Sequence, residues 1–225
     1  MRPEQLRIIV DASTQVSALL QAPPDARVCY VLAHGAGAGM THPFMAAVAD
    51  GLAQRAIATL RYQFAYMERG SKRPDAPPLA HAVVRAACAE AARKFPQIAL
   101  VAGGKSFGGR MTSQAQSSAP LPGVRGLVFL GFPLHPAKQP SDTRAAHLAK
   151  VDVPMLFLQG TRDELADMDL LRPLTERLAP RATLVEFEHA DHSFHVPARS
   201  GRKDAQVLDE LLDAIARWCG RLLES

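Results

Sequence analysis

One stretch constrains this chain more than any other: Val101-Ala102-Gly103-Gly104-Lys105-Ser106-Phe107-Gly108-Gly109, where an apolar run breaks into glycines around a single serine. Gly104-Lys105-Ser106-Phe107-Gly108 fits G-x-S-x-G, a sharp turn from strand to helix that lifts the serine above a parallel sheet. A serine in that turn is driven toward positive φ. The residues two before and two after it approach neighbouring backbone too closely to carry a Cβ, and both are glycine here. Composition alone yields about 0.05 such matches in a chain of this length, so the motif needs its context: a strand before, a helix after, and a downstream acid and histidine in that order. Gly104-Lys105-Ser106 also resembles the tail of a P-loop, but that motif requires glycine where this chain has Ala99.

The flanks supply the context. Ile98 to Ala102 reads as a buried strand, and Phe107 to Ser118 is helix-compatible until Pro120 and Pro122. Leu6 to Val10 and Val16 to Gln21 read as an N-terminal antiparallel pair. Val28 to Ala33, Ala56 to Tyr62, Leu127 to Gly131, Met155 to Gln159 and Thr183 to Phe187 complete eight strands. Helices are expected over His42 to Ala56, from Leu79 to near Phe95, near Leu171 to Leu178 with Pro173 in its first turn, and along the stripe from Val207 to Leu222. Gln63 to Pro78 reads as a surface loop. Alternation of strand and helix after the first pair predicts an α/β fold with a mostly parallel, doubly wound sheet, and 225 residues fit one domain spanning 1–225.

Every candidate site residue follows an expected strand, so the topology gathers them at the carboxyl edge of the sheet, where open α/β sheets place their sites. Their order is Ser106, Asp163, His192: nucleophile, acid, base. The glycine-rich His34-Gly35-Ala36-Gly37-Ala38-Gly39 after the Val28 strand suits an oxyanion loop, with backbone N–H groups of Ala36 and Phe107 as donors. His34 is expected to fix that loop by hydrogen bonding. Glu164 and Asp167 are nearby substitutes for Asp163. Lys105 and Arg110 flank the serine and are expected in structural ion pairs beside it; attraction of an acidic substrate is the other reading. Phe44, Met40 and Phe132 are candidates for an apolar acyl pocket. His189, His192 and His195 recur every third residue, but no zinc motif accompanies them, and no metal or cofactor is expected.

HGAGAGM, GGKSFGGR, GFPLHP and ADHSF together resemble a family of small, uncapped α/β-hydrolases. It is similar to the dienelactone-hydrolase-like branch and includes bacterial proteins together with eukaryotic relatives, among them the NSL-complex subunit and testis-expressed hydrolase-like proteins. The resemblance implies an α/β-hydrolase fold without a large cap domain, and a serine hydrolase acting on a carboxylic ester or thioester. It places the base at His192 through the ADHSF pattern. Dienelactone hydrolases proper use cysteine where this chain has Ser106, so the likeness does not extend to a lactone substrate. An acyltransferase would use the same residues, and a non-catalytic interaction module on the same fold is the alternative from another class.

Composition narrows the partners. With 48% hydrophobic and 21% charged residues and a net charge of +4, the chain is an ordinary globular sequence. Its pI near 9.2 is spread over scattered Lys and Arg rather than basic runs interleaved with aromatics, so nucleic acid is not expected as a partner; the expected partner is the small-molecule acyl substrate, its acyl group small or extended, that the hydrolase resemblance implies. Three distant cysteines, Cys29, Cys88 and Cys219, fit reduced thiols, and the N-terminus lacks an apolar leader. A cytoplasmic protein with no membrane contact is the resulting expectation.

Overall fold

In the computed structural model, residues 1–224 are described. Strands β1 (Glu4–Ile9) and β2 (Gln15–Gln21) form the N-terminal antiparallel hairpin. The rest alternates: β3 (Val28–Ala33), α1 (Pro43–Ala53), β4 (Ile57–Tyr62), the one-turn α2 (Ala65–Glu68), α3 (Pro77–Lys94), β5 (Ala99–Lys105), α4 (Phe107–Ser118) and β6 (Val124–Leu130). A 3-10 helix (Thr143–Lys150), β7 (Met155–Gly160), α5 (Met168–Arg177), β8 (Ala182–Phe187), a three-residue 3-10 turn (Ala198–Ser200) and α6 (Asp204–Glu224) complete it. Among the described residues the strands form one eight-stranded sheet, ordered β1-β2-β4-β3-β5-β6-β7-β8. Pairing is parallel from β4 through β8 and antiparallel where β2 meets β1 and β4.

The continuous apolar runs have a simple cause. All residues of β3, β4 and β7 are buried, because helices cover the sheet on both sides. On one face, α3 and α4 pack Val83, Val84, Ala87 and Met111 over the central strands. The other face is covered by α1 and α6, whose Val48, Leu52, Leu211, Ile215 and Trp218 meet the opposite side chains of the same strands. β6 and β7 are joined by a segment whose only regular element is the 3-10 helix, so no large cap stands over the carboxyl edge.

Two local expectations are corrected. Gln63 to Pro78 is not simply a surface loop: Phe64, Ala65 and Tyr66 are buried, and α2 presses this aromatic pair under the site. Phe64 meets Phe107 edge-on at 5.2 Å between centroids, and Tyr66 meets it at 6.3 Å. Three buried residues within a run of Gly, Pro and charge leave too short an apolar pattern to show periodicity. The second correction concerns α5, which begins at Met168, so Pro173 lies inside the helix rather than in its first turn. Its true start is marked by Asp167, whose side chain accepts the Asp169 N–H at 2.9 Å as an N-cap.

Candidate active site

Ser106 stands between β5 and α4 with φ 50° and ψ −114°, a left-handed geometry that a non-glycine residue adopts only under constraint. The flanking glycines show why the constraint holds. A Cβ on Gly104 would lie 2.1 Å from the carbonyl oxygen of Ala33, and one on Gly108 would lie 2.6 Å from the His34 carbonyl oxygen. The end of β3 therefore packs directly against both flanks of the turn. The Phe107 amide that follows is the first of α4 and has no acceptor within the helix.

Asp163 follows β7, and its carboxylate is buried. Oδ2 receives the Gln159 Nε2–H at 2.5 Å and faces His192 Nδ1 at 2.6 Å, while Oδ1 accepts the Leu165 amide at 2.8 Å. The carboxylate is acceptor-only, so His192 presents Nδ1–H to it, and Nε2 is the ring atom left with a lone pair. Glu164 is exposed, and Asp167 is occupied as the cap of α5, so neither takes the place of Asp163.

His34 shows which tautomer it holds. Nε2 accepts the Phe64 amide at 3.0 Å, so the proton sits on Nδ1, which donates to the Gly35 carbonyl at 2.8 Å. Burial holds the ring below the usual imidazole range, which keeps it neutral and suits this double role. As expected from the sequence, His34 ties the glycine loop down, and it does so to the buried Phe64 turn.

Ser106 and His192 line one cavity of about 350 Å³, together with Gly35, Ala36, Phe44 and Met45. Phe44 is thus a wall residue, stacked on Phe194 at 6.0 Å. Met40 and Phe132 are not among the lining residues. Phe132 is packed in the core against Phe129 and Phe157, and Met40 is held through its backbone by Gln63 and Arg61. The three histidines diverge: His195 pairs with Asp204 at 2.8 Å, His189 lies 3.5 Å from Glu188, and only His192 enters the cavity. Among the described residues no group of three or more His, Cys, Asp or Glu is arranged to hold a metal ion.

The expected ion pairs beside the serine are absent among the described residues. Lys105 donates instead to the His192 carbonyl at 2.6 Å, and Arg110 is held below its ordinary range by burial and by the neighbouring Arg144. The cysteines are free and buried, and burial pushes each thiol up to about 12. No helix among the described residues is long and apolar enough to cross a membrane.

Residues 26–220 match the family model described as an alpha/beta hydrolase domain. The chain belongs to the α/β-hydrolase family. Its fold is shared with a lidless serine hydrolase from Xanthomonas campestris at TM-score 0.73 and 20% identity, covering 97% of this chain and 95% of that one. A dienelactone hydrolase from Anabaena variabilis superposes at TM-score 0.74 and 20% identity, covering 97% of each chain. Est1E from Butyrivibrio proteoclasticus, solved with ferulic acid, does so at TM-score 0.74 and 16% identity, over 98% of this chain and 100% of that one.

Two supporting side chains of this α/β-hydrolase were not singled out from its sequence. Gln159 bridges β7 to the turn after β6, its Oε1 accepting the Phe132 amide at 2.9 Å while its Nε2 holds Asp163. His135 accepts the Asp167 amide at 3.0 Å and makes a 2.8 Å contact with the Pro136 carbonyl, fixing the far end of the acid loop. The GFPLHP run that contains His135 was visible as a motif, but nothing local in it names the partner.

Proposed function

We infer that this α/β-hydrolase is a serine hydrolase that cleaves a small carboxylic ester or thioester, with Ser106 as nucleophile, His192 as general base and Asp163 as the orienting acid. The observation that carries this reading is the strained Ser106 on the same cavity as a histidine whose Nδ1 is held by a buried carboxylate at 2.6 Å. In this scheme Ser106 Oγ attacks the acyl carbon while its proton passes to His192 Nε2. The amides of Ala36 and Phe107 receive the developing oxyanion. The tetrahedral adduct collapses to an acyl-enzyme, the imidazolium protonates the departing alcohol or thiol, and water activated by the same imidazole releases the acid.

A cavity of about 350 Å³ that is lined by Phe44 and Met45 supports a compact acyl group. The known names of fold relatives, an esterase among them, agree with this chemistry in kind. The resemblance to complex-forming eukaryotic proteins favours an interaction module, but Ser106, His192 and Asp163 all remain, and a decayed site would be expected to lose at least one. Fluorophosphonate labelling of the native protein beside Ser106→Ala tests the assignment. Labelling of the native protein alone is expected. An unlabelled native protein, under conditions that label a control esterase, overturns the hydrolase reading; a labelled Ser106→Ala protein overturns the choice of nucleophile.

A further inference from the structure

Lys105 is the last residue of β5 and the immediate neighbour of Ser106, yet the chemistry above gives it no task. Its side chain runs past the glycine loop, with Cγ 3.4 Å from where a Cβ on Gly35 would stand, and lines the cavity. Nζ then reaches across to the loop after β8 and donates to the His192 carbonyl at 2.6 Å, lying 5.8 Å from the centre of the Phe194 ring. Gly131, in left-handed geometry at φ 71°, leaves the space this crossing needs. A Cβ there would stand 3.1 Å from Lys105 Nζ and 3.4 Å from His192 Cε1 and Nδ1.

An ammonium drawn partly out of water is costly unless paired, and among the described residues no acid lies within ion-pair distance of this half-buried one. The charge is directed at a main-chain carbonyl, where a charge-assisted bond is roughly twice as strong as a neutral one. The geometry points to Lys105 as a positioning residue: its ammonium ties the main chain of His192 to the strand that delivers Ser106, holding base and nucleophile on one frame. The inference rests on the proposed roles of Ser106 and His192.

Burial pushes Lys105 down to about 8, against the opposing pull of Asp163 and Asp191. Other charged or titratable groups around this loop are His42 on the cavity side and Arg162, Glu164 and His195 on the far side of His192. Below about pH 8 the tether is an ammonium; above it the amine donates a weaker bond, and the alignment of His192 loosens. An alkaline fall in activity is therefore expected near pH 8, and arginine, which does not deprotonate in this range, removes it.

The test compares fluorophosphonate labelling rates and p-nitrophenyl acetate kinetics from pH 6 to 9.5 for the native protein, Lys105→Met and Lys105→Arg. Misplacing a reacting group by about 1 Å costs on the order of 10²-fold, so Lys105→Met is expected to lose about that factor in kcat with little change in KM. Lys105→Arg is expected to recover most of the rate and to lack the fall near pH 8. A Lys105→Met protein labelled at the native rate across the range overturns the inference and leaves the hydrolase reading standing. A native protein unlabelled at every pH overturns both.

Discussion

Asp163 Oδ2 meets His192 Nδ1 at 2.6 Å while the same oxygen holds the Gln159 amide at 2.5 Å, so the imidazole is oriented by a carboxylate that is itself locked in place. Replacing Asp163 by asparagine keeps the shape but sets an amide N–H against a donor whichever way it is turned, either Nδ1 with the Gln159 amide or the Leu165 amide, and the first orientation selects the wrong tautomer. We expect Asp163→Asn to fold with some loss of stability and to lose about 10⁴ in kcat/KM toward an ester. A loss of less than tenfold would contradict the role of this pair.

His34 bridges the Gly35 carbonyl and the Phe64 amide, two buried groups that no other side chain serves among the described residues. Leucine fills similar space and satisfies neither. His34→Leu is expected to cost roughly 1–3 kcal/mol for the orphaned Phe64 amide, while the Gly35 carbonyl keeps the Ala38 amide at 3.4 Å. Urea unfolding measures the stability, and the fluorophosphonate rate should fall with it as the loop bearing Ala36 loosens.

Two glycines with positive φ separate conformational from steric cost. A Cβ on Gly103, at φ 144°, would lie 1.9 Å from the Val128 carbonyl oxygen, whereas Gly37, at φ 76°, has nothing within 4 Å. Gly103→Ala is expected to give insoluble protein or no cooperative unfolding transition. Gly37→Ala should cost only about 1–2 kcal/mol, read as a modest drop in Tm. Similar behaviour of the two variants would contradict the close strand approach at the turn.

His147, on the 3-10 helix, accepts or donates across 2.7 Å to Ser113 Oγ, and burial, with Arg110 and His81 nearby, pushes its imidazole down to about 4. Between that value and the unfolded value near 6.5 the unfolded chain binds the extra proton, so stability contributed by the neutral ring is complete above about pH 6.5 and is lost as pH falls toward 4. His147→Gln, which cannot take up a proton, is expected to lower stability at pH 7 and to flatten the decline between pH 6.5 and 4. Denaturant midpoints at several pH values would show a parallel slope if His147 does not drive it.

Much of this was already written along the chain. Apolar runs long enough only for strands, punctuated by glycine and proline, specify the eight strands to within a few residues, because the central strands are covered on both faces and carry few polar side chains. The elbow was legible for the same local reason: Gly104 and Gly108 mark positions where a Cβ has no room. The N-cap at Asp167 is a local signal too, and it sets the start of α5 so that Pro173 falls inside the helix.

Other features depend on residues far apart in the chain. Phe64 and Tyr66 are buried because β4 delivers them beneath His34 and Phe107, a neighbourhood no window of sequence contains. The ties from Gln159 to the Phe132 amide and from Lys105 to His192 exist only because β5, β6, β7 and β8 lie side by side, and the second joins residues 87 positions apart. The sequence by itself determined the class of fold, through periodicity and local sterics, and set Ser106, Asp163 and His192 in that order behind expected strands, with His192 singled out by the ADHSF resemblance. Tertiary structure alone decided which histidine meets the carboxylate, which apolar residues face the cavity and where the Lys105 charge is directed, because hydrogen-bond partners and burial are set by packing across the sheet.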